Sequence, residues 1–253
     1  MSRFAFISDV HANVEALRAV LAALDKAKPD GVICLGDLVG YGPHPAECVD
    51  MVLDRCDYTV QGNHDRAVID DAELARFNAG ARTAIAYTRE RLSEGHRRKL
   101  AVLPCIGNMD EVVVTHANPD LDAPSDYLND PAIAASAFGA FEQHCLFVGH
   151  THIPMAFGTP DIGYAKVEPA DVRVAFLPAN VPLRLDPRYR YILNPGSVGQ
   201  PRDGNPDAAF AILDTEKRTF TVHRVAYNVD SVQRDMMRAG LPNFLSDRLR
   251  IGA

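Results

Sequence analysis

The sequence predicts an α/β domain, and three observations carry that prediction. Over the first half of the chain, apolar runs of strand length alternate with amphipathic stretches of helix length. The second half is mostly strand-like. With 253 residues, 47% of them hydrophobic and 23% charged, the chain is long enough to bury a substantial core and has an ordinary globular composition.

The elements follow in order. RFAFIS at 3–8 is the first strand. Val14, Leu17, Leu21 and Leu24 then recur at helical spacing behind Asn13, a good N-cap residue. GVICL at 31–35 is a strand, PAECVDMVL at 45–53 a helix and DYTVQ at 57–61 a strand. ARTAIAYTRERL at 81–92 is helical and EVVVT at 111–115 is a strand. DPAIAASAFGAFEQ at 130–143 starts with a proline suited to the first helical turn. CLFV at 145–148 is the next strand. Residues at about 155–190 carry Pro160, Pro169, Pro178, Pro182 and Pro187 without a period, and read as a loop-rich excursion with short strands. RYIL at 190–193, AAFAIL at 208–213 and FTVHRV at 220–225 are strands. The tail at 229–250 is helical, broken at GLP, 240–242. One domain over residues 1–253 is expected.

Charge and cysteine usage narrow the function. A formal net charge of −7 leaves no broad basic surface for gripping long nucleic acid. No run approaches the ~18 apolar residues that a membrane span needs. The five cysteines are odd in number and include no CxxC pair. They read as buried free thiols, and with no signal-like start the expected location is the cytoplasm.

The polar residues right after the strands carry the chemistry. Asp9 and His11 follow the first strand, Asp37 the second, and Asn63, His64 and Asp65 the third. His116 follows EVVVT, and His150 and His152 follow CLFV. Taken singly, each has an ordinary reading: a GD or GN turn, or a hydrogen-bonded histidine. Turns alone do not predict carboxylate, amide and imidazole at five strand ends, where open α/β sheets place their sites. Two carboxylates with several neutral imidazoles suit first-row divalent ions. A shared carboxylate can hold two such ions roughly 3.5–4 Å apart, an arrangement used for in-line displacement at phosphorus. His150 and His152, flanking one turn, can each reach a different ion.

The blocks SDVH, GDLVGYGP, GNHD, THA, GHTH and NPGSVGQPRDG, in this order over residues 8–204, resemble the calcineurin-like metallophosphoesterase superfamily. The last block is similar to that of its small bacterial and archaeal phosphodiesterases. The resemblance implies a four-layer αββα sandwich with a binuclear site on one edge. It implies Asp9, His11, Asp37 and His152 as ligands of one ion and Asp37, Asn63, His116 and His150 as ligands of the other. It implies His64 as the catalytic histidine, and Arg202 is the candidate for binding substrate phosphate. The two ions would be drawn from Mn, Fe, Co, Ni and Zn. Ser/Thr protein phosphatases carry an aspartate and arginine after the bridging aspartate, and purple acid phosphatases a ligand tyrosine where Gly40 stands; both are disfavoured here. The expected activity is hydrolysis of phosphodiester bonds in small molecules or nucleotides by a metal-bound hydroxide. The alternatives are a dinucleoside polyphosphate hydrolase, a phosphomonoesterase or, in another class, a non-catalytic scaffold. The residues choosing the leaving group are expected within 155–190.

Overall fold

A computed structural model describes residues 2–109, 112–119, 127–163 and 166–253. The chain opens with β1 (Arg3–Ile7), α1 (Val14–Ala27), β2 (Gly31–Cys34), α2 (Pro45–Arg55) and β3 (Tyr58–Thr59). Four helices follow: α3 (Asn63–Ala67), α4 (Asp71–Ala75), α5 (Ala79–Arg91) and α6 (Glu94–Ala101). Next come β4 (Ile106–Met109), β5 (Val112–Thr115), α7 (Pro131–Phe138) and β6 (Cys145–Phe147). Then run β7 (Met155–Pro160), β8 (Arg173–Phe176), β9 (Leu183–Arg184), β10 (Tyr189–Asn194), β11 (Ala208–Asp214) and β12 (Thr219–Val225). Helices α8 (Val229–Arg238) and α9 (Asn243–Ile251) close the chain.

Two six-stranded sheets form, in the orders β3-β2-β1-β11-β12-β9 and β4-β5-β6-β10-β7-β8. In the first, β1, β2 and β3 are parallel; in the second, β5, β6 and β10 are. The period-2 alternation of side chains sorts the layers. Phe6, Ile33, Phe147, Leu193 and Leu213 point between the sheets. Their neighbours Ala5, Ile7, Val32, Cys34 and Ile212 face a helical layer containing α1 and α2. Leu146, Val148, Phe157 and Ile192 face α7 on the other side. Helix, sheet, sheet and helix layers therefore stack as the predicted αββα sandwich. Phe6 and Phe147 stack across its centre with ring centroids 3.8 Å apart, a contact worth about 0.5–1.5 kcal/mol beyond its buried area.

Local signals explain most boundaries. Asn13 accepts the Ala16 N–H and caps α1, and Pro45 and Pro131 open α2 and α7. α7 ends at Phe138, before Gly139, five residues short of the helix read from the sequence. The break at 240–242 separates α8 from α9. Glu111, the first residue of the strand expected at 111–115, lies outside the described residues. Within 155–190, β7 is an interior strand that pairs with β10 on one side and β8 on the other. Pro154 and Pro160 bracket this strand, which is why it reads as loop. Cys34, Cys48 and Cys145 are buried as expected; Cys56 is half-buried and Cys105 is exposed. Among the described residues, no helix is long and apolar enough to cross a membrane.

Candidate metal centre

The parallel strands of both sheets end at one edge of the sandwich, and the polar residues after them meet there. Tight turns aim them. Asp9, His11, Asp37, His150 and His152 all have positive φ, between 47° and 66°. Non-glycine residues pay roughly 1–2 kcal/mol each for that conformation, and such strain concentrates where side chains must be aimed. Gly149 before His150 is required for a different reason. A Cβ there would run into the Ser8 hydroxyl, so only glycine lets the two loops touch.

Two clusters result. Asp9, His11 and His152 place one ligand atom each within 4.8 Å of one another, and so do Asp37, His116 and His150; a third such group, His11, Asp37 and His64, spans the two. Asp37 lies between them: its Oδ2 is 3.2 Å from His116 Nε2 and 3.6 Å from His11 Nε2. Asn63 Oδ1 is buried without a hydrogen-bond partner among the described residues. The structure thus brings together every residue that the sequence analysis singled out as a ligand.

The tautomers test whether the residues fit metal ions. His11 Nδ1 lies 3.0 Å from the Val39 carbonyl, His116 Nδ1 2.7 Å from that of Leu35, and His152 Nδ1 2.5 Å from that of Gln200. A carbonyl only accepts, so each Nδ1 carries a proton and each Nε2 is the ring atom that faces inward. His11 Nε2 and His152 Nε2 are 3.1 Å apart. Neutral rings held this way cannot hydrogen-bond to each other, and a cation between them resolves the conflict.

Electrostatics agree. Burial drives His11 and His152 below the ordinary histidine range, His64 to about 4 and His150 to about 3, giving neutral imidazoles. Burial opposes the charge on Asp37, yet His116 and His64 hold its carboxyl well below the usual range. His116 is the exception. Burial lowers it, but the Asp37 carboxylate outweighs burial and holds it up at about 10. Without metal, a proton on His116 therefore answers the charge of Asp37. A metal ion must displace that proton, so uptake releases protons and affinity rises with pH towards 10. Calorimetric titration of the metal-free protein in buffers of different ionisation enthalpy should show about one proton released from this position at neutral pH. Uptake without proton release would refute the His116 assignment.

His64 sits beside the clusters, its ring 4.8 Å from that of His11 and 4.6 Å from that of Phe77, with Nδ1 buried and unpartnered among the described residues. Its backbone N–H donates to Asp37 Oδ1 at 2.8 Å. A Cβ at position 40 would collide with the His64 ring, so this ring position requires glycine there. Tyr41 lies 4.4 Å from His64, ring to ring, and Arg202 stands over Tyr41 at 5.8 Å. Both line a cleft of about 260 Å³ with His64, Asn78 and Tyr127. Arg202 is therefore at the site, as the sequence suggested.

Several residues near the site were not assigned a role from the sequence. Asp65 points away from the clusters and accepts the backbone N–H groups of Asp37, Leu38, Val39 and Gly62 at 2.9–3.2 Å, which fixes the Asp37 loop. Asn194 bonds Gly149 O and Thr151 Oγ1, and Ser197 Oγ donates to Asp9 O, so NPGS braces the ligand loops from behind. His44 lies 3.2 Å from Asp235 and is a tie to α8 rather than a substrate contact. Phe77 and Tyr127 line the cleft, and the Tyr127 ring stacks on His150 at 4.1 Å. No pattern in the sequence marks either. The leaving-group residues expected within 155–190 are not found there: none of the described residues of that segment lines the clefts at the clusters.

Comparison with known proteins agrees with this geometry. The model of the calcineurin-like phosphoesterase superfamily domain matches residues 2–218. An uncharacterized protein of Methanocaldococcus jannaschii is 34% identical over 255 residues, covering 99% of this chain and 98% of the relative. A crystal structure of a metallophosphoesterase from Sphaerobacter thermophilus is 38% identical, with TM-score 0.85 over 100% of this chain and 99% of that one. A hypothetical protein from Pyrococcus horikoshii shares the fold at 19% identity, with TM-score 0.75 over 100% of this chain and 99% of that one.

Proposed function

The chain belongs to the calcineurin-like phosphoesterase superfamily, and we propose that within it this protein is a binuclear metal-dependent phosphodiesterase acting on small molecules or nucleotides. The observation that carries the reading is the pair of inward-facing Nε2 atoms of His11 and His152, 3.1 Å apart beside Asp9. Asp9, His11 and His152 would hold one cation, and Asn63, His116 and His150 the other, with Asp37 shared. Two divalent ions so held lower the pKa of bound water and neutralise charge on a phosphoryl group. His64 would give a proton to the leaving oxygen, and Arg202 would bind a phosphate oxygen.

The shape of the site favours a diester. Two adjoining clefts, sharing Asn63, Glu73, Arg76 and His150, open at the clusters. One, of about 260 Å³, holds His64, Tyr41 and Arg202; the other, of about 520 Å³, runs past Asn63, His116 and Thr115. A phosphodiester has two substituents on phosphorus and can use both clefts, whereas a monoester has one.

A hydrolysis screen tests this. Bis(p-nitrophenyl) phosphate, p-nitrophenyl phosphate and dinucleotides would be offered with Mn²⁺, Fe²⁺, Co²⁺, Ni²⁺ and Zn²⁺ in turn. The diester should be cleaved with a higher kcat/KM than the monoester with at least one metal. A preference for the monoester would overturn the diesterase reading. Metal and phosphate binding without turnover of any ester would point to a scaffold.

A further inference from the structure

The two clefts at the metal centre differ in a way that metal ligation does not explain. The smaller one is lined by three aromatic rings besides its histidines: Tyr41, Phe77 and Tyr127. Among the described residues, the adjoining cleft of about 520 Å³ is lined by no Phe or Tyr. The three rings come from separate parts of the fold. Phe77 leans on the helical core beneath α1 and α2, and Tyr41 on the small core formed by α8 and α9. Tyr127 belongs to none of the buried apolar clusters of the described residues and keeps 45% of its surface exposed.

Contacts with the site hold these rings in place. Phe77, His64 and Tyr41 form a continuous run, with successive centroids 4.6 and 4.4 Å apart. Tyr127 stacks on the candidate ligand His150 at 4.1 Å, with the two planes 13° apart. A ring anchored in this way and left open to water offers a flat apolar surface to a planar partner. Polar groups stand beside the rings. Asn78 Oδ1 accepts the Ala81 N–H, which leaves its NH₂ group as a donor, and the Glu73 carboxylate adds an acceptor. Stacking faces accompanied by a donor and an acceptor are the means by which proteins hold single unstacked bases.

We propose that this cleft takes a planar aromatic group on one arm of the substrate, a nucleobase, with Phe77 and Tyr127 as the rings on which it stacks. This rests on the phosphodiesterase reading and narrows its substrates to nucleotides whose base-bearing arm lies on the His64 side.

The test compares adenosine and cytidine 5′-monophosphates with ribose 5-phosphate, titrated calorimetrically into the metal-loaded full-length protein. All three present the same phosphate to the metals, so the ratio of affinities reports the base alone. At least one nucleotide should bind about fivefold or more tighter than ribose 5-phosphate, the lower end of what one base–aromatic stack contributes. Phe77→Leu and Tyr127→Leu keep apolar bulk but remove a ring, and each should pull that ratio towards one. Phe77→Tyr and Tyr127→Phe should keep it within twofold of wild type. Any weakening of the His150 site in Tyr127→Leu lowers all three affinities together and leaves the ratio unchanged. Phe176→Leu is the control, since Phe176 is exposed on β8 and lines neither cleft. A wild-type ratio within twofold of one for both nucleotides would overturn the base site. So would a ratio unchanged within twofold in both ring-deleting variants, or an equal fall in Phe176→Leu. If the protein cleaves these monoesters in preference to diesters, the phosphodiesterase reading falls, and the ratio of kcat/KM between nucleotide and ribose 5-phosphate decides the base site in its place.

Discussion

Asp37→Asn should empty both halves of the metal centre, whereas His152→Ala should empty mainly one. Asp37 is the carboxylate between the clusters, with Oδ2 at 3.2 Å from His116 Nε2 and 3.6 Å from His11 Nε2. Asparagine keeps the shape but has one acceptor oxygen and no charge. Its NH₂ group would meet either the lone pairs of the imidazoles or the His64 backbone N–H, which now donates to Oδ1. Loss of an outer hydrogen-bond partner alone costs roughly 10–100-fold in metal affinity, and loss of a shared ligand costs more. Elemental analysis after equilibration with Mn²⁺ or Zn²⁺ should give about two ions per chain for wild type, about one for His152→Ala and fewer for Asp37→Asn. A wild-type protein that saturates at one ion, or an Asp37→Asn protein that keeps two, would overturn the shared-carboxylate arrangement.

His64→Ala should slow alkyl or ribose diesters far more than p-nitrophenyl diesters. The ring lies beside both clusters, and its backbone is tied to Asp37. Burial keeps the free ring at about 4, so its charged form is favoured only when an anionic phosphoryl group lies against it. Proton donation matters most for a basic leaving oxygen and is typically worth ~10²–10⁴-fold. p-Nitrophenolate departs as an anion and gains little. Steady-state kcat/KM on the two substrates, at equal metal content, measures the difference. An equal fall for both would show that His64 acts by binding the phosphoryl oxygen. No fall for either would remove it from the mechanism.

The strands and helices that carry the ligands were legible because their signals are local. Short apolar runs, RFAFIS and GVICL, marked β1 and β2, and the spacing of Val14, Leu17, Leu21 and Leu24 marked α1. The short helices α3, α4 and α6 and the edge strand β4 were missed, since segments of four to eight residues present too little period to stand out. β7 was obscured by flanking prolines although it lies inside a sheet, because its partners β10 and β8 are set by packing.

By itself the sequence determined which side chains end the strands: Asp9, His11, Asp37, Asn63, His116, His150 and His152, with His64 beside them. Ligand type and strand-end position are written locally, in motifs of three or four residues. Tertiary structure alone decided how these motifs meet. His11 and His152 are 141 residues apart in sequence, and their Nε2 atoms face each other only because the parallel strands of two stacked sheets end at one edge. The tautomers depend on carbonyls of Val39, Leu35 and Gln200, which no motif announces. The packing of Tyr41 against α8 and α9 likewise depends on where those helices dock, and docking is fixed by buried apolar contacts whose partners lie far away in sequence.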